Sequence, residues 1–154
     1  MVGPLPSSLV AVTISIAGPD DVEELTRSLQ GLVPQLSRSN PPPSAEAVGA
    51  MLAHEAITQF VARDGAGAIV GVSTLAVFPI PTGRRGWVED VIVDEVSSGN
   101  GIGRLLIEAM LDRARSLGCA TVELTSRPSR EAANHLYRKV GFAQRETNVY
   151  RFEL

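Results

Sequence analysis

The chain has 154 residues, 44% of them hydrophobic and 20% charged, which bounds it to one globular domain long enough to build a core. A formal net charge of −3 and the lack of any basic cluster with interleaved aromatics argue against nucleic acid as a partner, because phosphate neutralisation needs a basic face. The single cysteine, Cys119, excludes an internal disulfide and a Cys-based metal site, and no segment is long and apolar enough to span a membrane. The start, MVGPLPSSLV, lacks the basic and apolar regions of a secretory signal. The expectation is a cytoplasmic protein with no membrane partner, a loose arm over 1–8 and one domain over 9–154.

In chain order, the alternating, β-branched stretch 9–17 predicts a strand. Asp20 with Glu23 three residues on predicts a capped helix over 19–32, stopped by Pro34 and the proline-rich 37–44. A short helix follows Ser44 over 45–53. Residues 58–64 and 68–79 read as two strands of a hairpin, 79–86 as a loop and 87–93 as a third strand. Over 101–118 the residues Ile102, Leu105, Leu106, Ala109, Met110, Ala114 and Leu117 form an apolar stripe at helical spacing, with Gly118 as the stop. A strand over 120–126 and a helix over 128–141, capped by Ser129 and stopped by Gly141, lead to a closing strand over 148–154. The order is β-α-α-β-β-β-α-β-α-β, an α/β fold without repeats.

The segment VIVDEVSSGNGIGRLLIEAM, residues 91–110, carries the chemistry. Gly99, Gly101 and Gly103 stand between a strand and a helix, where backbone N–H groups approach anions. A P-loop is excluded because Gly103 is followed by Arg104 and Leu105, not by Lys and Ser or Thr. A dinucleotide fingerprint starting at Gly99 would need glycine at position 104, and the intervening DEVSS separates strand from glycines. Glu123 stands roughly 20 residues on, where an adenosine-ribose acid would be, but in mid-strand.

With its flanks, WVEDVIVDEVSSGNGIGRLLIEAM resembles the coenzyme A motif of the GNAT family of N-acetyltransferases, a strand and turn followed by Gln/Arg-x-x-Gly-x-Gly/Ala on a long helix. Downstream, ELTSRPSREAANHLYRKVGF resembles the family's second signature, with Leu136-Tyr137 and Gly141-Phe142 in its places. The resemblance spans residues 69–142 and implies a mixed, mostly antiparallel central sheet flanked by helices. The stretch Trp87–Ile107 also resembles glucosamine-phosphate acetyltransferases. Two departures stand out: Ser98 replaces the motif Gln/Arg, and Arg130 stands where many relatives have Asn.

The resemblance implies acetyl-CoA as acyl donor. Its pyrophosphate would lie on the turn of Ser98, Gly99, Asn100, Gly101, Ile102, Gly103 and Arg104, with Arg104 offsetting the loss at Ser98 and Arg130 within reach of the cofactor. The backbone of Val91, Ile92 and Val93 would pair with the pantetheine arm, one N–H polarising the thioester carbonyl. An alkylamine acceptor has a pKa near ~10.4 and must lose a proton before it attacks. Glu89 is the candidate base, with Asp90 alternating to the other face. The leaving thiol, with a pKa around ~8.5, needs only modest help. Tyr137 matches the family's general acid.

Neither His54 nor His135 has a partner at metal-ligand spacing, so no metal is expected. Trp87 reads as core, and Arg84 and Arg85 as a solvated basic turn or an acceptor-site pair. The acceptor would be a small-molecule or peptide amine. A non-catalytic acyl-CoA sensing module and a nucleotide-binding domain are the rival readings, and a homodimer through the closing strand stays open.

Overall fold

The computed structural model describes residues 11–154 and divides the chain into two compact units, one through Leu124 and one over Thr125–Leu154. The first holds strands β1 (Thr13–Ile16), β2 (Ile57–Arg63), β3 (Ile69–Ile80), β4 (Gly83–Val93) and β5 (Thr121–Glu123). It also holds helices α1 (Val22–Leu36), α2 (Ala45–Ala53) and α3 (Ile102–Ser116). The strands form one five-stranded sheet in chain order. The first four are antiparallel, and β5 joins β4 in parallel after the α3 crossover. This is the mixed, mostly antiparallel sheet that the family resemblance implies.

Successive residues of a strand face opposite sides, which divides the core in two. Val61, Val72 and Ile92 join Leu25, Leu29 and Leu32 of α1 and Val48 of α2 in a buried cluster on one face. Gly71, next to Val72, turns to the other face, where Ile102 and Leu106 of α3 lie directly over it. Burial of Ile102, Leu106, Met110 and Ala114 along α3 agrees with the expected apolar stripe, but Leu105 is exposed and Ile107, outside that stripe, is buried. Arg63 of β2 pairs with Asp21 at 3.3 Å and with Glu24 through a 2.9 Å hydrogen bond, tying the start of α1 to the sheet.

Several elements differ from the sequence expectation. Residues 1–10 lie outside the described residues, so the arm and the first two positions of the expected first strand are not assessed. The cap of the first helix is shifted by two residues: in place of the expected Asp20 and Glu23 pair, the Gly18 N–H donates to Asp21 Oδ2 at 2.7 Å, and a 3-10 turn over Pro19–Asp21 precedes α1. Pro34 does not stop α1, because it sits in the last turn, where only the bond to the Gln30 carbonyl is lost and its fixed φ suits a helix. Ser44 caps α2 as expected, its Oγ accepting from the Ala47 N–H at 3.2 Å.

The expected loop over 79–86 is instead the end of a long hairpin, with Ile80 paired to Gly83 across Pro81 and Thr82. Arg84 donates to the Leu117 carbonyl at 2.8 Å and Arg85 lies 4.0 Å from Glu123, so both brace neighbouring elements of the fold. Cys119 is partly exposed, and burial pushes its thiol pKa up.

The second unit contains α4 (Glu131–Val140). Arg130, not Ser129, occupies its N-cap position, without a side-chain cap. Gly141 ends α4 as expected: at φ 119° its N–H reaches the Tyr137 and Arg138 carbonyls. The closing strand is absent. Residues 148–154 have no strand partner among the described residues, and Val149, Tyr150, Phe152 and Leu154 are exposed. Alternation supplies a pattern, but a strand exists only when its N–H and C=O groups are paired.

Candidate active site

The site begins where β4 loses a neighbour. β5 pairs with it only through Arg85, Gly86 and Trp87, so from Val88 onward β4 has β3 on one side and an unpaired edge on the other, among the described residues. The Asp94 N–H donates to the Val70 carbonyl at 2.9 Å, and antiparallel ladders alternate. Ile92, opposite Val72, therefore directs its backbone groups into β3, while Val93 directs its own to the open edge.

The register slips between Val72–Ile92 and Thr74–Glu89, so Asp90 and Val91 together oppose Ser73. This β-bulge leaves the backbone of Val91 outside the ladder as well. Asp90 takes up the extra residue at φ 46°, a left-handed conformation that Asp and Asn tolerate better than most residues. The bulge breaks the simple alternation expected of Glu89 and Asp90. Desolvation, and then the neighbouring charge of Glu89, push the Asp90 carboxyl pKa up.

Glu89 is exposed and fixed at one oxygen, accepting from Trp87 Nε1 at 2.8 Å. Its cross-strand partner is Thr74, on the sheet face shared with α1 and α2. Trp87, expected in the core, is only partly buried and positions this carboxylate.

After β4 a short 3-10 turn is held by Asp94 Oδ1, which accepts from the Val96 N–H, and by Gln35 of α1, which accepts from the Glu95 N–H at 3.0 Å. Gly99 and Gly101 then adopt φ 82° and 76°. A Cβ on either would meet nothing within 4 Å, so glycine is needed there for conformation, and the space above the turn is open. Gly103 has no positive φ and belongs to the first turn of α3.

The first bond into α3 runs from the Leu105 N–H to the Gly101 carbonyl, leaving the N–H groups of Ile102, Gly103 and Arg104 without acceptors among the described residues. With the helix dipole they form an anion-binding end. Ser98 is exposed, Asn100 is tied back to the Ser97 carbonyl, and Arg104 bonds Glu108 at 2.7 Å on its own helix. The open edge, the bulge and the free N–H groups lie on one continuous stretch, 88–104, and fit an extended ligand that ends in an anion.

In the second unit Tyr137 is buried, and its ring packs edge-on against Phe142 at 5.9 Å between centroids. The left-handed Gly141 produces this contact by folding the chain so that the Phe142 N–H reaches the Tyr137 carbonyl. Burial pushes the Tyr137 pKa up, partly offset by the charge of Arg130. No hydrogen-bond partner holds its hydroxyl among the described residues.

A model of the acetyltransferase (GNAT) family matches residues 25–142. The chain belongs to the GNAT family. It is an N-acetyltransferase, and this family uses acetyl-CoA as donor. The chain is 31% identical over 140 residues to glucosamine 6-phosphate N-acetyltransferase 1 of Oryza sativa subsp. japonica, covering 85% of this chain and 82% of that protein. It is 35% identical over 89 residues to mycothiol acetyltransferase of Propionibacterium freudenreichii subsp. shermanii, covering 58% of this chain but 28% of the relative. The crystal structure of a Trypanosoma brucei acetyltransferase superposes with a TM-score of 0.74 at 27% identity, covering 94% of this chain and all of that one.

Among the described residues no His, Cys, Asp and Glu group is arranged to hold a metal, and no helix is long and apolar enough to cross a membrane. Sequence reasoning passed over Gln59 and Thr74, two polar residues within sheet strands. Their signal was a pair of adjacent polar residues, Thr58–Gln59 and Ser73–Thr74, within strands that are otherwise mostly apolar.

Proposed function

We propose that this GNAT enzyme transfers the acetyl group of acetyl-CoA to a primary amine of a small molecule or a peptide. The observation that carries this reading is the unpaired edge of β4 running into the free N–H groups of Ile102, Gly103 and Arg104. The names of the two curated relatives favour a small-molecule acceptor.

Acetyl-CoA supplies an acetyl group already activated as a thioester. The outward backbone groups of Val91 and Val93 hold its extended arm as an added strand would, and an N–H there stabilises the carbonyl oxygen. The turn from Ser98 to Arg104 holds the pyrophosphate mainly through main-chain donors, so replacement of the motif Gln/Arg by Ser98 weakens binding without removing it. By its place in the family motif, Arg130 would add a positive charge to the binding of the same ligand. Glu89, held by Trp87, takes the proton of the acceptor ammonium directly or through one water. Tyr137, kept protonated by burial, holds a proton for the departing sulfur.

Titration calorimetry with acetyl-CoA, ATP and NAD, followed by thiol release with an amine panel, tests this reading. Selective micromolar binding of acetyl-CoA with amine-dependent thiol release is expected. Binding without thiol release would identify a sensor, and preference for ATP or NAD would end the coenzyme A assignment.

A further inference from the structure

Across the sheet, Gln59 of β2, Thr74 of β3 and Glu89 of β4 stand in one row, Gln59 opposite Thr74 and Thr74 opposite Glu89. Exposure rises along it: Gln59 is buried, Thr74 partly exposed and Glu89 exposed. The hydrogen bonds of this row have only one consistent direction. Gln59 Nε2 faces two backbone carbonyls, Ser73 at 3.0 Å and Phe60 at 3.2 Å, which accept and never donate. That end of the side chain is therefore the NH2 group, and the other end is the carbonyl oxygen. Thr74 Oγ1 lies 2.6 Å from that oxygen, which can only accept. The single proton of Thr74 is thus committed to Gln59, and the hydroxyl presents only lone pairs to the rest of its surroundings.

We propose that Thr74, locked by Gln59 as a pure hydrogen-bond acceptor beside Glu89, binds an N–H of the acceptor amine and makes the enzyme prefer nitrogen over oxygen acceptors. The inference rests on the amine-transfer reading above. An alkylammonium has several N–H groups, so one serves Glu89 while another is held by Thr74. An alcohol has one hydrogen, which goes to the base, and its oxygen lone pairs then face those of Thr74. Gln59 is a positioning residue: it does not reach the acceptor and acts by fixing the Thr74 proton. Replacing it with an apolar residue frees that proton, and Thr74 can then donate to an alcohol.

The test measures steady-state kinetics with glucosamine 6-phosphate, L-methionine sulfone and a lysine peptide as amines, and the hydroxyl analogue of each as a competitive inhibitor. For Thr74→Val we expect KM for the best amine to rise by at least tenfold, while Ki for its hydroxyl analogue stays constant or falls. Thr74→Ser, which keeps the hydroxyl, restores the amine KM to within about threefold of wild type. Gln59→Leu narrows the amine-to-alcohol ratio with Thr74 intact. The Kd for acetyl-CoA stays constant in all three, which reports an intact fold. Unchanged amine KM in a folded Thr74→Val protein, or equal losses for amine and alcohol, overturns this inference alone. A wild-type protein that releases no thiol with any amine overturns the transferase reading and this inference with it.

Discussion

Gly71→Ala tests how the sheet positions the anion-binding turn. The new Cβ would stand 3.2 Å from Ile102 Cγ2, 3.2 Å from the Ile92 carbonyl oxygen and 3.3 Å from Leu106 Cδ1. All three distances are shorter than the ordinary contact range of ~3.5–4.0 Å. The Ile92 oxygen is fixed in the β3–β4 ladder, so the strain passes to Ile102 and Leu106, and α3 must lift by a few tenths of an ångström. Overpacking of this kind costs about 1–3 kcal/mol. The lower conformational freedom of Ala returns roughly 0.5–1 kcal/mol. A net loss of about 1–2 kcal/mol lowers Tm by about 2–8 °C in a chain of this size. Because Ile102 opens α3, the lifted helix also misplaces the free N–H groups, and the Kd for acetyl-CoA rises about 3–10-fold, on the order of 1 kcal/mol. Thermal denaturation and calorimetry read both effects. Gly31→Ala is the control: nothing lies within 4 Å of its Cβ on α1, and Ala stabilises a helix there by roughly 0.8–1 kcal/mol. If Gly71→Ala is as stable as wild type, or shifts in the same direction as Gly31→Ala, the packing argument is refuted.

Tyr137→Phe and Glu89→Gln should each lower kcat by about 10²–10⁴-fold with acetyl-CoA binding kept, and unchanged turnover in either removes that residue from its role. The raised pKa of Tyr137 also has a stability consequence: its contribution is complete below the unfolded value of 10.0 and is lost as pH rises through the folded one. Alkaline denaturation should therefore be less steep in Tyr137→Phe. Ser98→Arg restores the motif cation at an exposed position and should tighten acetyl-CoA binding by about 3–10-fold in low salt, less at high ionic strength. Asp90→Asn should raise Tm at pH 7. The folded carboxyl pKa lies above 3.8, so the cost of ionising Asp90 in the fold is present at neutral pH and vanishes once both states are protonated. The gain should disappear by pH 3, and a gain that persists there would assign the effect to backbone conformation.

Local patterns reported much of this protein before any tertiary contact was known. The apolar stripe of α3, the glycine stops at 118 and 141 and the Ser44 cap depend on residues within a turn or two of one another, and all were legible. The two family motifs were legible for the same reason, because each is a contiguous run. What the sequence could not show depends on partners far along the chain. The pattern at 148–154 alternates like a strand yet pairs with nothing among the described residues, whereas the presumed loop at 79–86 is drawn into the β3–β4 ladder. The slip that places Asp90 and Val91 opposite Ser73 is a property of two strands and is written in neither alone. The same holds for the Gln59–Thr74–Glu89 row, whose members are separated by 15 residues at each step and meet only through cross-strand register. Helix periodicity and caps are set by near neighbours in the chain, but strand pairing, bulges and the direction of a buried hydrogen bond are set by whichever distant segment completes them.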